Sequence, residues 1–484
     1  MTVLDIDALR IAAAAFKSAL QAQDRQALIA AARRLVELEA PLGQQWPGLV
    51  QEVFRWGELN LALSALNVWH RQGTPANAVN YEKAVLLSLS GLTDRAAKLA
   101  EALPADFPTP VANAYLRGSL AVGMGRPQVA EAHFRRAVEA RPDSGRSWLG
   151  LVQAGKAGED DRKAMQALAA GHPLEDQEDH AALENALGLL AERRGDYAAA
   201  FAHFDRSTHV VRGQRPYSKD DNEQSAQIAA SWFASDMQAS QTPSPRSTRK
   251  PIFVTGLARS GTTLVQQILT AHSGVDGGAE LGLAIQIEAI VGGFAPPDVE
   301  AYLAAGGTLG VLRETYLRLV AERLPGEGAF VDKSLNQSRS LGPFALLFPD
   351  SPVIWLRRDP LDNAWSIFRT WLSRSAVSGW SLEDIAHHMK LEDALFDHWS
   401  RQLGDRMLAV PYAELVERPD HWIERITHHC ALTPESAQLE FHQAARGVST
   451  ASAMQVREPI NRRGLGSAER YRPYLKPFID AYEA

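Results

Sequence analysis

The sequence PIFVTGLARSGTTL, which spans residues Pro251–Leu264, decides the fold of the second half of the chain. Its residues Ile252–Thr255 are apolar or β-branched and predict a short buried strand. A glycine-containing turn, Gly256–Gly261, follows, and apolar residues recur at helical spacing from Thr262 onward. Because the first backbone N–H groups of a helix have no intrahelical partner, a strand, a glycine turn and a helix in this order predict an anion-binding loop.

This loop departs from the phosphate loop of nucleoside triphosphatases, G-x-x-x-x-G-K-[ST], in which the lysine reaches the β- and γ-phosphates. Thr262 occupies the position of that lysine, and Arg259 is the cation of the loop. Two hydroxyls and one guanidinium suit a single phosphate better than a triphosphate. A kinase that uses ATP is the alternative enzyme, although the missing lysine argues against it. A turn that binds nothing is the structural alternative.

Composition restricts the classes of function that the chain can have. The chain has 484 residues, a formal net charge of −7 and one cysteine, Cys430. The length predicts more than one domain, and the net charge gives no argument for nucleic-acid binding. One cysteine excludes an internal disulfide and is typical of a reducing compartment. The N-terminus has the pattern of an amphipathic helix rather than a signal peptide, and no apolar run has the length of a membrane span, so we expect a cytoplasmic protein.

The first half of the chain has the pattern of a helical repeat. Apolar residues recur at helical spacing as far as about Ser235, and units with small and aromatic residues at similar offsets begin at Val111, Gly145 and Ala181. These units resemble the tetratricopeptide repeat of about 34 residues. A degenerate unit precedes them at Tyr81–Pro104. Stacked repeats predict a concave surface that binds a peptide or a protein, or a dimer surface, whereas a scaffold without a ligand is the alternative.

We predict three segments: a helical repeat domain at residues 1–239, a polar linker with two prolines at 240–250, and an α/β domain at 251–484. In the last segment, strands and helices alternate, which predicts a parallel sheet covered on both faces. The later strands are expected at 329–333, 351–357 and 406–411, and helices at 281–290, 309–323, 340–348, 361–372, 422–429 and 434–445.

Polar residues follow the predicted strands at the points where they end. They are the glycine loop, Asp332–Lys333, Arg357–Asp359 and Tyr412. Because ligands of parallel sheets bind at the carboxyl ends of the strands, these residues predict one shared site. The expected fold class is thus α + α/β, with helical repeats followed by a sheet domain of the phosphate-loop type.

With these motifs in this order, the second half resembles sulfotransferases that use PAPS (3′-phosphoadenosine 5′-phosphosulfate). Within that superfamily it is similar to bacterial enzymes with tetratricopeptide repeats and to tyrosylprotein sulfotransferases. The family's 5′-phosphosulfate loop matches Ala258–Thr263, with alanine in place of the usual proline. The resemblance implies that PAPS is the donor and that no metal is needed. It assigns donor binding to Arg259, Ser260, Gly261, Thr262, Thr263, Arg358, Ser366, Tyr412 and Arg470.

The same resemblance implies how the reaction is catalysed. It assigns to Glu280 the role of the base that removes the proton of an acceptor hydroxyl, and to Lys333, Arg259 and Ser452 the stabilisation of developing negative charge. An ion pair of Lys333 with its neighbour Asp332 is the structural alternative.

The acceptor is less specified by the sequence. A tyrosine in a peptide or protein, held by the repeat domain, is the implied acceptor, while a polysaccharide, a lipid or a small phenol stays open. The family resemblance also suggests a homodimer. A non-catalytic module that binds proteins through its repeats is the alternative outside enzymes.

Overall fold

The structure is a computed structural model that describes residues 6–171, 174–238, 249–278, 280–334, 336–372, 377–444, 447–448, 450 and 452–484. The predicted linker at 240–250 lies outside the described residues except for residues 249 and 250. The described residues before the sheet form the helices α1 Ile6–Ala22, α2 Arg25–Glu37, α3 Trp46–Arg55, α4 Leu59–Arg71, α5 Ala76–Leu89, α6 Thr93–Glu101, α7 Pro110–Gly123, α8 Pro127–Ala140, α9 Gly145–Gln153, α10 Glu159–Ala170, α11 Gln177–Arg193, α12 Tyr197–Gln214, α13 Lys219–Ala230 and α14 Ala234–Gln238.

Small residues and buried aromatic rings join the repeat helices. A Cβ atom added at Gly118 of α7 or Gly150 of α9 would lie 2.8 or 2.4 Å from the ring of Phe134 on α8. Two repeats later, a Cβ atom at Gly188 of α11 would lie 2.7 Å from the ring of Phe204 on α12. The same glycine–phenylalanine packing in the first and third units confirms the predicted helical repeat.

The second half contains one parallel sheet, with the strand order β2-β3-β1-β4-β5. Its strands are β1 Pro251–Thr255, β2 Val275–Asp276, β3 Ala329–Asp332, β4 Val353–Arg357 and β5 Met407–Pro411. Phe253 of β1 pairs in register with Asp332 on one side and Val353 on the other. This sheet confirms the α/β prediction, and its order makes the ends of β3, β1, β4 and β5 neighbours.

The helices of this half are α15 Thr262–Thr270, α16 Ala284–Val291, α17 Pro296–Ala304, α18 Leu309–Ala321, α19 Leu341–Leu347, α20 Pro360–Phe368, α21 Leu382–Leu403, α22 Tyr412–Glu417, α23 Pro419–His429 and α24 Lys476–Glu483. The helix predicted at 434–445 is wrong, because the described residues 434–444 form only short 3-10 turns. There the Gln438 side chain accepts from the Glu435 N–H and donates to the Thr427 hydroxyl, and such local bonds compete with a helix.

The helical half and the sheet half share hydrophobic core. Phe201 of α12 stacks on Trp365 of α20 and on Tyr474 near the C-terminus, with ring centroids 6.3 and 4.9 Å apart. Phe204, from the same repeat helix, also packs edge-on against Trp365. The repeats are therefore packed against the sheet half beside the carboxyl ends of its strands. Among the described residues, no helix has both the length and the apolar character needed to cross a membrane.

Candidate functional site

The loop between β1 and α15 is curled by glycine. Gly256 and Gly261 have φ values of +137° and +111°, in the region that favours glycine. A Cβ atom at Gly256 would lie 2.7 Å from the Leu356 carbonyl oxygen, and one at Gly261 would lie 2.7 Å from the Tyr412 ring. Arg259, between them, has φ +64°. The backbone of the loop is therefore strained at Arg259 and closely packed at the two glycines, at the end of the sheet.

Arg259 lies at the centre of the site and has neutral partners. Its guanidinium donates to Gln455 Oε1 at 2.8 Å, to Ser366 Oγ at 3.3 Å and to the Ser452 hydroxyl. Burial, together with the positive charges of Arg369 and Arg358, lowers the pKa of Arg259 to about 9. The side chain thus stays cationic at neutral pH and is bonded by hydroxyl and amide oxygens, which leaves its charge available to an anion.

Arg358, directly after β4, carries the second guanidinium of the site and is partly buried. It donates to the backbone carbonyls of Arg259 at 2.8 Å and Gly464 at 2.6 Å, and it lies over the ring of Tyr412 with its Cζ atom 5.0 Å from the ring centroid. Burial lowers the pKa of Arg358. Its Nε atom and the Ser260 hydroxyl are both buried, and neither has a hydrogen-bond partner among the described residues. Unmet donors at a cationic site are suited to phosphate oxygens.

A cavity of about 470 Å³, which we call the donor cavity, opens in front of these arginines. Its lining includes the predicted residues Arg259, Gly261, Thr263, Arg358, Ser366, Tyr412, Ser452 and Arg470. Arg470 donates to the hydroxyl of Tyr197, the first residue of α12, at 3.0 Å. Tyr197 also lines this cavity, so the repeat half forms part of its wall. Ser260 is buried behind the loop, and Thr262 faces a different cavity.

The predicted base and its cation meet at the end of β3. Lys333 Nζ donates to Glu280 Oε1 at 2.6 Å, and the side chains of Lys333 and Glu280 are 3% and 33% exposed. The alternative pair with Asp332 does not form, because Asp332 accepts from the Tyr316 and Ser334 hydroxyls on the buried side of the strand. Burial lowers the pKa of Lys333, and the Glu280 carboxylate opposes that shift. The Glu280 carboxylate is thus one-third exposed and is held by the buried ammonium group of Lys333.

Glu280 faces a second cavity of about 600 Å³, which we call the acceptor cavity, between the two halves of the chain. The sheet half contributes Arg259, Thr262, Thr263, Glu280, Arg369, Trp371, Thr450 and Ser452 to its lining, among others. The repeat half contributes Ser88, Ser119, Gln153, Asn185 and Arg193, which lie on α5, α7, α9 and α11. Arg259, Thr263 and Ser452 line both cavities. The two spaces therefore adjoin at the glycine loop.

The repeat residues of the acceptor cavity were not predicted from sequence. Asn185 is 2% exposed, and its Nδ2 donates to the Arg369 carbonyl at 3.2 Å. Its Oδ1 is buried and lacks a hydrogen-bond partner in the described part of the chain. A polar residue on the first helix of a repeat unit is the only sequence signal at this position, and many surface positions share it. Across the described residues, no group of three or more His, Cys, Asp or Glu side chains is arranged to hold a metal ion.

Comparisons with known proteins show what the chain is similar to. Residues 251–436 match the model of the sulfotransferase family. An uncharacterized protein of Aquifex aeolicus (strain VF5) is 29% identical over 305 residues, which are 61% of this chain and 40% of that protein. A putative protein-tyrosine sulfotransferase of Caenorhabditis briggsae is 25% identical over 236 residues, which are 45% of this chain and 79% of that protein.

A solved structure, the sulfotransferase domain from the Synechococcus PCC 7002 olefin synthase, is 18% identical and covers 47% of this chain and 97% of that domain, with a TM-score of 0.31. The matched region of this chain spans less than half of the length of the Aquifex relative. The family match lies within the sheet half and includes Arg259, Glu280, Lys333 and Arg358.

Proposed function

We propose that this chain, a repeat-containing member of the sulfotransferase family, transfers a sulfuryl group from PAPS to a hydroxyl acceptor, with tyrosine in a peptide or protein as the first candidate. The observation that carries the proposal is the junction of the two cavities at Arg259, Thr263 and Ser452. The donor cavity contains both Arg259 and Arg358, and the acceptor cavity contains Glu280. Transfer between two ligands requires such adjoining spaces, because the reacting groups must meet in line.

The donor cavity has the chemistry that a bisphosphorylated nucleotide needs. Arg358 and Ser366 would hold the 3′-phosphate, and the backbone and hydroxyls of the glycine loop would hold the 5′-phosphosulfate. The Nε atom of Arg358, which is buried and has no hydrogen-bond partner among the described residues, supports this fit, as do the neutral partners of Arg259. When bound, PAPS would supply the sulfuryl group and leave as adenosine 3′,5′-bisphosphate.

Glu280 would act as the general base toward the acceptor hydroxyl. A phenol has a pKa of about 10 and is protonated at neutral pH, so its attack needs a proton acceptor. Lys333 holds the carboxylate in place by donating a hydrogen bond to it. General-base assistance of this kind contributes roughly 10²- to 10⁴-fold to a rate.

Arg259 and Ser452 lie where negative charge must be stabilised. Both line the two cavities, and the Arg259 guanidinium donates to the Ser452 hydroxyl. A fixed cation and a fixed hydroxyl at this junction stabilise charge on the transferring group and the leaving oxygen without having to reorganise. Their positions depend on the strained loop backbone and on the segment that carries Ser452.

The acceptor would bind between the repeats and the sheet half. The acceptor cavity takes hydroxyl and amide groups from several repeat helices and the indole of Trp371 from the sheet half. A mixed wall of this kind suits a polar chain that carries an aromatic hydroxyl. The unpaired Oδ1 of Asn185 offers an acceptor for an N–H group of such a chain.

Calorimetric titration with adenosine 3′,5′-bisphosphate, without metal, tests the donor site. We expect micromolar binding by the wild-type chain and a loss of roughly 10- to 100-fold in Arg358→Ala, because a charged hydrogen-bonding group is removed. Arg472→Ala is the matched control, since Arg472 is exposed and pairs with Glu469. Magnesium-dependent ATP binding without bisphosphate binding would instead favour the kinase and contradict the proposal.

A further inference from the structure

Between residues 447 and 457, the part of the chain that the structure describes lies at the junction of the two cavities, where Ser452 and Gln455 line both. The Thr263 hydroxyl of the glycine loop donates to the Thr450 hydroxyl at 3.4 Å, and Arg259 donates to Ser452. Thr450 also accepts from the Ser452 backbone N–H at 3.2 Å. We call the described residues 447–448, 450 and 452–457 the site segment. Regular structure in these residues is limited to a 3-10 turn at Gln455–Arg457, so their position depends on contacts with other parts of the chain.

Both ends of the site segment are bonded to one carbonyl group of the repeat half. The Val448 N–H donates to the Gly123 oxygen at 2.9 Å, and Arg457 Nη2 donates to the same oxygen at 3.1 Å. Arg457 Nη1 donates to the Ala444 carbonyl at 2.5 Å, just before the segment. Gly123 is the last residue of α7. Because the final carbonyls of a helix lack intrahelical partners and carry partial negative charge, a guanidinium is favoured there.

Glycines allow the site segment to approach the end of α7 closely, along a contact that we call the α7 seam. A Cβ atom at Gly123 would lie 3.2 Å from the Val448 carbonyl oxygen, and one at Gly125 would lie 3.1 Å from Arg457 Nε. On the other side, a Cβ atom at Gly447 would lie 2.7 Å from Cβ of Thr93, at the start of α6. Main chain meets main chain at Gly123 and Val448, and side chains pack on the other two glycines, so α7 has little room to shift without moving the site segment.

We propose that Arg457 is a positioning residue of the active site and that the end of α7 is part of that site's framework. Arg457 would hold the site segment so that Ser452 and Thr450 stay against the glycine loop. The repeat half, whose helix α7 also lines the acceptor cavity through Ser119, would then transmit acceptor binding to the donor loop. This inference rests on the proposed function, and it goes further because it makes the repeats part of the catalytic framework as well as a binding surface.

Hydrogen–deuterium exchange on the full chain tests the coupling, with adenosine 3′,5′-bisphosphate as the probe. In the wild-type chain we expect the probe to slow exchange at 447–458 and also at 110–125, because the seam links them. In Arg457→Gln the protection at 110–125 should be lost. Arg472→Gln, which changes an exposed arginine paired with Glu469, should behave as wild type. Probe-induced protection of 447–458 without any change at 110–125 in the wild-type chain would overturn the inference.

Kinetics with PAPS and a tyrosine-containing peptide provide the second readout. We expect kcat to fall roughly 10- to 100-fold in Arg457→Gln, with the KM for PAPS changed by less than about threefold, because the residue does not touch the donor. Arg457→Lys keeps the charge and should recover part of the loss. A merely structural role would lower the folded fraction but leave kcat per folded molecule unchanged, which would overturn the proposal.

A second variant covers the case in which Arg457→Gln does not fold. Gly123→Ala keeps Arg457 and adds a Cβ atom 3.2 Å from the Val448 carbonyl, so it should lower kcat in the same direction by a smaller factor. Unchanged kcat in this variant would overturn the inference. Failure of the proposed function is recognised separately, since the wild-type chain would then neither bind the bisphosphate nor transfer a sulfuryl group.

Discussion

Two clusters of charge lie where the repeats meet the sheet half, and they are built in opposite ways. At the first, Glu58 is 1% exposed and accepts from Arg25 of α2 at 2.7 Å and from Arg318 of α18 at 2.6 and 2.8 Å. At the second, Arg259 and Arg358 donate to hydroxyls, an amide and carbonyls. The first cluster balances its charge within the chain, whereas the second leaves positive charge without a carboxylate among these bonds.

This difference separates a structural role from a binding role. A buried carboxylate that bonds to two guanidiniums has its desolvation offset inside the protein and gains nothing from a ligand. Burial lowers the pKa of Arg25 in the first cluster and of Arg259 and Arg358 in the second, but only the second pair has neutral acceptors, so an anionic ligand would raise the pKa values of that pair. We therefore expect changes at Glu58 to affect stability and changes around the cavities to affect binding and transfer.

The largest effect is expected at Glu280. In Glu280→Gln the side chain keeps its shape but can no longer take a proton, so kcat for transfer to a tyrosine-containing peptide should fall by roughly 10²- to 10⁴-fold. Bisphosphate binding should stay within about threefold of wild type, because Glu280 does not line the donor cavity. Glu300→Gln, at an exposed position of α17, is the control. Full turnover by Glu280→Gln would exclude it as the base.

The Glu58 cluster predicts a loss of stability with binding retained. Glu58→Gln leaves two guanidiniums without their carboxylate, which should lower the free energy of unfolding by about 3–5 kcal/mol in chemical denaturation. Glu39→Gln is the control, because its pair with Arg71 is half exposed and worth about 0–1 kcal/mol. Bisphosphate affinity of the folded Glu58→Gln chain should equal that of wild type. Equal losses in the two variants would contradict the distinction between the clusters.

Much of the fold and of the donor cavity follows from local sequence pattern. The strand, glycine turn and helix at Pro251–Leu264 formed as predicted, and the sheet order brought the polar strand ends together. The pair of Lys333 with Glu280 rather than Asp332 also has a local reason, since successive residues of an extended chain point to opposite sides.

What the sequence did not reveal depends on contacts between distant segments. The predicted helix at 434–445 failed because Gln438 and Glu435 bond locally and with other segments. The wall of the acceptor cavity was not predicted from the sequence. Its residues Asn185 and Thr450 are separated by more than half of the chain and are brought to one cavity by the packing of the repeats on the sheet half. Helical periodicity shows which face of a repeat is buried, but not what it is packed against.

The pH dependence of transfer should reveal Lys333. This ammonium group must be protonated to hold Glu280, and burial lowers its pKa below that of an ordinary lysine. We therefore expect kcat/KM to fall on the alkaline side at a pH below the usual lysine range, as the pair loses its positive charge. In Lys333→Arg the guanidinium stays protonated, so the alkaline limb should move upward by about one pH unit or more. An alkaline limb that is the same in both proteins would assign it to another group.

The same shift has the opposite sign for stability. Because the folded state binds the Lys333 proton less tightly than the unfolded chain does, this group's contribution to stability should rise as pH rises from the lowered pKa toward the ordinary one. Lys333→Met should remove that rise in denaturation measured across the alkaline range. Activity and stability would then respond to one proton in opposite directions, which is expected of a charge kept for chemistry rather than for folding.

The smallest effect is expected at Asn185, a buried residue of the repeat half that can be compared directly with Glu58. This residue belongs to the repeat half and is buried like Glu58, but its Oδ1 has no hydrogen-bond partner in the part of the chain that the structure describes. If that oxygen binds an N–H group of the acceptor, Asn185→Ala should raise the KM for a tyrosine-containing peptide by about 2- to 10-fold, the value of one neutral hydrogen bond. The KM for PAPS should not change, and Asn222→Ala on the outer helix α13 should have no effect on either constant. An equal rise in the KM for the peptide and for a small phenol would mean that the oxygen does not recognise the peptide chain, and the repeats would then act on the site through the α7 seam alone.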